Sequence, residues 1–150
     1  MKKILAGFIG AVAMLIAQFA FAAPPTQKDA QALVEKAAAY VKTNGKEKWM
    51  QEIAASNSEW VKPELYVFAY DLTGTLVSDP NPKLIGKNMY EVPDVDGKLF
   101  RKEIIDTAKS KGSGWVDYKF KNPTTGNIQA KTAYFQKVND IVLVSGIYKN

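Results

Sequence analysis

Apolar positions follow two different periods along this chain. Ala30, Leu33, Val34, Ala37, Tyr40 and Val41 recur at i, i+3, i+4, i+7 and predict one apolar stripe of a helix. Thr26 stands at its start as an N-cap, with Asp29 three residues on, and Asn44-Gly45 ends it. A second helical piece follows in "KEKWMQEIAAS", with Trp49, Met50 and Ile53 on one side. The period then falls to two. "ELYVFAYD", the Asp71-Leu72-Thr73-Gly74 turn and "TLVS" read as a hairpin. Helical spacing returns in Phe100, Ile104, Ile105 and Ala108. Gly112-Ser113-Gly114 then leads into three short strands and two turns between Trp115 and Tyr148.

Between hairpin and third helix lies "DPNPKLIGKNMYEVPDVDGK", rich in Pro, Asn, Asp and Gly. Irregular segments of this length in a compact domain are usually functional or disordered. Leu84, Ile85, Met89, Tyr90 and Val92 argue for order, because a solvated linker has no use for them. The segment is expected to fold as a lid. The whole pattern is α+β: a five-stranded antiparallel sheet with a long N-terminal helix packed on one face and a helical lid loop over the other.

Short hairpins fix register, and register fixes faces. With Asn139-Asp140 as the tight turn, Val138 pairs with Ile141, Phe135 with Val144, Ala133 with Gly146 and Lys131 with Tyr148. Closing the other loop on Lys121 and Ile128 sets Tyr118 opposite Lys131. One face then carries Tyr118, Lys131, Ala133, Phe135, Val144, Gly146 and Tyr148, and the small residues Ala133 and Gly146 are expected to leave a hollow beside the lysine. A buried ammonium without a partner costs several kcal/mol or sheds its proton, so Lys131 calls for a negative partner or water. The plainer alternative is that it reaches a sheet edge or pairs with Asp117. The expected ligand-binding residues are Lys131, Tyr118, Tyr66, Phe135, Tyr148 and, from the lid, Met89. Tyr90 is a further lid candidate, and Trp60 and Trp115 read as packing residues.

The N-terminus modifies the picture. Met1-Lys2-Lys3 is followed by an apolar run from Ile4 to Ala17, then by Ala20-Phe21-Ala22 and Pro24-Pro25. This predicts a signal peptide over residues 1–22, cleaved after Ala22, and a single domain over 23–150, periplasmic or secreted and without stable membrane insertion. A retained membrane anchor is the alternative. Cleavage would take Lys2 and Lys3 from a formal charge of +5, and the remaining excess is dispersed. With a single arginine, Arg101, and no basic block, nucleic acid is not an expected partner.

The chain has no cysteine and no histidine. It needs no disulfide, and Ser-His-Asp, Cys-His and common zinc chemistry are excluded. No cofactor and no enzymatic activity are expected. An enzyme using Lys131 as a Schiff-base nucleophile would need a depressed lysine pKa. "PDVDG" has two carboxylates but lacks the further oxygens of a calcium loop, so no metal site is expected.

"LYVFAYDLTGTLVSDPNPKLIGKNMYEVPDVDGKLFRKEIIDTAKSKGSGWVDYKFKNPTTG", followed by "KTAYF" and "VSGIY", resembles the single Cache domain of the sCache_2 type. Where many members carry His-Pro after the first hairpin, this chain has Asp79-Pro80. The resemblance implies a PAS-like extracytoplasmic sensor that binds a short organic acid. Because the chain stops at Tyr148-Lys149-Asn150, it implies a stand-alone exported form working with a membrane receptor, kinase or transporter partner. The alternative is a periplasmic protein-protein interaction module with no small-molecule ligand.

Overall fold

The computed structural model describes residues 22–149; the expected signal peptide lies almost wholly outside them. The first helix, α1 (Gln27–Asn44), begins where the sequence predicts. The Thr26 side chain accepts from the Asp29 amide at 3.3 Å, and the Asp29 carboxylate takes the Thr26 amide at 2.7 Å, a reciprocal capping box. Gly45 ends it at φ 88°, and α2 (Lys46–Ala54) follows at once. No helix among the described residues is long and apolar enough to cross a membrane.

The sheet comprises β1 (Phe68–Asp71), β2 (Leu76–Ser78), β3 (Ser113–Lys121), β4 (Ile128–Val138) and β5 (Ile141–Tyr148), in the order β2-β1-β5-β4-β3. All neighbours run antiparallel. β1 starts later than the sequence pattern suggests, because Tyr66 pairs instead with Val61 in an isolated bridge. The β4–β5 register sets Lys131 against Tyr148, Ala133 against Gly146, Phe135 against Val144 and Val138 against Ile141. Tyr118 faces Lys131 from β3. Asn139 carries the tight turn at φ 51°, a conformation that asparagine tolerates better than most residues.

Period-two alternation divides the core between the two faces of the sheet. On one face, Val34, Ala37, Ala38 and Val41 of α1 and Trp49 and Ile53 of α2 pack on Trp60, Val67, Ala69, Tyr134, Val138, Ile141 and Leu143. The other face gathers Phe68, Tyr70, Leu76, Tyr118, Ala133, Phe135, Val142 and Val144 beneath α3 (Phe100–Lys111), whose Phe100, Ile104, Ile105 and Ala108 point inward. The third helix thus shares its face with the lid. Trp60 is fully buried, whereas Trp115 is 38% exposed against Tyr134, with ring centroids 5.3 Å apart.

The lid is pinned at three points. A 3-10 turn over Pro82–Leu84 is capped by Asn81, and Asn88 bridges to Thr75. Gly74, at φ 88°, lies so close to the lid that a Cβ there would sit 2.7 Å from that of Tyr90. Tyr90 donates to Asp106 at 2.7 Å and accepts from Lys102 at 2.9 Å, which ties it to α3. Asp94 accepts the amides of Asp96 and Lys98 with one oxygen and that of Lys119 with the other. These bonds hold its carboxyl below the ordinary carboxylate range, the Lys119 amide having the largest effect.

Candidate functional site

Between lid, α3 and sheet lies a cavity of about 260 Å³. Its walls are mostly aromatic and aliphatic: Tyr66, Phe68, Tyr70 and Leu76 from the first hairpin region, Leu84 and Met89 from the lid, Phe100 from α3, and Tyr118 and Phe120 from β3. Phe100 stacks flat on Tyr118 at 3.9 Å, which fixes both rings. Set into this wall are four charged side chains, Lys131, Arg101, Asp79 and the exposed Lys121, together with Asn81.

Lys131 is 1% exposed. Its Nζ donates to the Tyr66 hydroxyl at 3.3 Å and lies 4.8 Å from the ring centres of Tyr66 and Tyr148 and 5.7 Å from that of Phe120. An ammonium has three protons to donate, and ring faces compensate only part of the lost hydration. Burial lowers its pKa from 10.5 to about 8, against an opposing pull from Asp79. Neither plain alternative for this lysine holds. It does not reach solvent, and Asp117 pairs with Lys149 at 2.9 Å.

Arg101 is 6% exposed. It donates to the Val92 carbonyl at 2.9 Å and covers the Phe100 ring at 4.1 Å, while its buried Nε has no partner among the described residues. Asp79, just past β2, accepts the Asn81 amide at 2.7 Å through one oxygen. Burial raises its pKa above the usual carboxylate value, and Lys131 offsets part of that rise. The hydroxyls of Tyr66 and Tyr118 are likewise pushed up by burial, so both are protonated donors at neutral pH.

Of the residues expected at the site, Lys131, Tyr66, Tyr118 and Met89 line this cavity. Phe135 and Tyr148 do not. Phe135 is 1% exposed and fills the core below it, where Gly114 gives it room: a Cβ there would meet the ring at 2.9 Å. Tyr148 covers Lys131 with its ring from behind and donates its hydroxyl to the Lys121 carbonyl at 3.0 Å. The expected hollow at Ala133 and Gly146 is absent. A Cβ on Gly146 would lie 2.6 Å from the Thr132 carbonyl oxygen and 2.8 Å from the Ala133 Cβ, so the small residues serve close strand packing. The space comes from the lid standing off the sheet.

Arg101 and Asp79 are the additions that pattern reasoning missed. Arg101 has a visible signal, because 101, 104, 105 and 108 fall at i, i+3, i+4, i+7, so the only arginine sits on the helix's apolar stripe.

A five-stranded antiparallel sheet backed by two helices, with a charged cavity under a lid on its other face, is a PAS-like sensor-domain architecture. The chain belongs to the Single Cache domain 2 family, whose model matches residues 1–150. It is similar to the periplasmic sensor domain of a chemotaxis protein, at 25% identity and a TM-score of 0.64, over 82% of this chain and 90% of that one. It is also similar to a methyl-accepting chemotaxis protein from Vibrio parahaemolyticus, at 26% identity and a TM-score of 0.69, over 81% and 86%. A Cache chemosensory domain studied for carboxylic acid recognition shares the fold at 24% identity and a TM-score of 0.61, over 82% and 88%. No curated protein matches the sequence. Family and neighbours are sensor domains, not enzymes.

Proposed function

We propose that this chain senses a small carboxylate outside the cytoplasm, holding it against Lys131 beneath the lid. The observation that carries this reading is a lysine 1% exposed on a cavity wall with a single hydrogen-bond acceptor among the described residues, the Tyr66 hydroxyl at 3.3 Å. A carboxylate supplies the missing acceptors and the missing charge together. Arg101, which lines the same cavity, adds a second cationic group. About 260 Å³ lies just under the range of drug-sized pockets, which favours an acid of a few carbons. The aromatic walls lower the local dielectric and so strengthen the charge pairing. The neighbour studied for carboxylic acid recognition has the same fold, but at 24% identity the ligand class rests on this cavity.

In this reading the exported domain, residues 23–150, passes occupancy of its cavity to a separate membrane receptor, kinase or transporter. The interaction-module alternative draws on a different observation, a shallow exposed patch containing Val92, Val95 and Ile128. A thermal-shift panel of acetate, propionate, lactate and pyruvate on the purified protein separates the two. A native-state site raises the midpoint for at least one acid. Silence across the panel contradicts the sensor reading and favours the interaction module.

A further inference from the structure

Asp79 is out of place in a pocket built for a bare carboxylate. It is a half-buried anion on the wall of a cavity whose buried charges are the cations Lys131 and Arg101. A simple fatty acid would set its carboxylate beside this group with nothing to offer it. Asp79 is also held in a fixed orientation. The Asn81 amide occupies one oxygen at 2.7 Å, and no donor among the described residues bonds the other. Asn81 is fixed in turn by accepting the Lys83 amide at 3.2 Å. Lys131 and Asp79 are not ion-paired with each other, so neither satisfies the other directly and both remain open to a third party.

From this geometry we infer that the site selects a short monocarboxylate carrying a hydroxyl on the carbon next to the carboxyl group, with Asp79 as the specificity-determining acceptor of that hydroxyl. The inference rests on the carboxylate-sensor reading and narrows it. Lys121 on the wall is exposed to solvent; the two buried cations and the one anion are neutralised by one further negative charge, which a hydroxy monoacid brings. A dicarboxylate brings one too many, and a zwitterionic amino acid brings none. The hydroxyl donates to the free Asp79 oxygen while the carboxylate takes the protons of Lys131. A site built to bond a hydroxyl leaves its own half-buried acceptor unpaired when the analogue lacks that group, which discriminates against a close analogue.

The test uses three acids of equal chain length, measured by calorimetry on the purified protein. Lactate carries the hydroxyl, propionate carries hydrogen there, and pyruvate carries a carbonyl. Lactate is expected to bind about tenfold or more tightly than either of the others. Asp79→Asn turns the free position from an acceptor into an amide donor, so the preference for lactate over pyruvate should collapse or invert. Equal binding of lactate and propionate by the unmodified protein overturns this inference while leaving the sensor reading intact, and requires no variant to fold. An unchanged lactate-to-pyruvate ratio in a folded Asp79→Asn protein overturns it as well. Binding of none of the three overturns both.

Discussion

The two faces of the sheet are made from the same strands and do opposite things. Behind it, α1 and α2 close on Trp60, Val67 and Leu143, all fully buried, and the polar groups there are neutral or reach the rim. Trp60 donates its indole proton to Glu52 at 2.9 Å, and Tyr40 donates to the same carboxylate. The orphaned buried atoms on that side, Trp49 Nε1 and Ser145 Oγ, belong to uncharged groups. In front, the lid and α3 enclose two cations and a carboxylate around an open volume. A face meant for packing is filled. The other retains charges whose hydration nothing in the protein fully replaces, and this incompleteness is the mark of a binding surface.

Substitutions on the two faces should therefore differ in kind. The largest loss of stability is expected behind the sheet: Trp60→Ala removes a fully buried indole and should cost about 3–5 kcal/mol in denaturant unfolding. Lys131→Met in front should do the reverse. With a pKa drawn down from 10.5 to about 8, the lysine's burial costs the apo fold roughly 3 kcal/mol at neutral pH. The variant should be as stable as the parent or more so, yet fail to bind acids. A Lys131→Met protein that unfolds like Trp60→Ala would assign this residue to the core.

The same lysine gives the pH behaviour its sign. Its folded pKa lies below its unfolded one, so between about 8 and 10.5 the unfolded chain binds more protons, and apo stability rises with pH through that window. Below about 8 both states are charged and the penalty is constant. Acid affinity should run the other way, falling as pH rises past about 8 and the ammonium is lost. Thermal midpoints and calorimetric affinities collected across pH 7–10 check both trends, and Lys131→Met should flatten the first.

Smaller effects probe the lid and the helix start. Gly74→Ala places a methyl group against Tyr90 in a left-handed backbone conformation. It should cost about 1–3 kcal/mol and weaken acid binding, because Met89, whose amide bonds the Gly74 carbonyl at 2.9 Å, lines the cavity. Thr26→Ala breaks the capping box of α1 and should cost about 1 kcal/mol with acid affinity unchanged.

The strand register was readable in advance because Asn139-Asp140 is a two-residue turn and side chains alternate strictly beyond it. Once Val138 faced Ile141, every pair out to Lys131 and Tyr148 followed. Helix limits were readable from Thr26, Asp29 and Gly45 for equally local reasons. What alternation cannot convey is where a face is covered and where it is left open. Phe135 and Lys131 lie on one face of one strand, yet the first is sealed by packing and the second opens to the cavity. That distinction belongs to the stand-off of the lid, set by Gly74, Tyr90 and Asp94 through contacts distant in sequence. Asp79 stood out in the sequence only as a departure from the His-Pro pattern, because its place on the wall follows from the path of the chain after β2.

The most direct measurement is the pKa of Lys131 itself, followed by NMR of lysine side chains labelled at the ε position, with and without a saturating acid such as lactate. The structure predicts one lysine titrating near 8 in the free protein, absent from the spectrum of Lys131→Met, and shifting upward when the acid binds. A Lys131 that titrates near 10.5, or one that stays near 8 whether or not an acid is bound, would contradict the account.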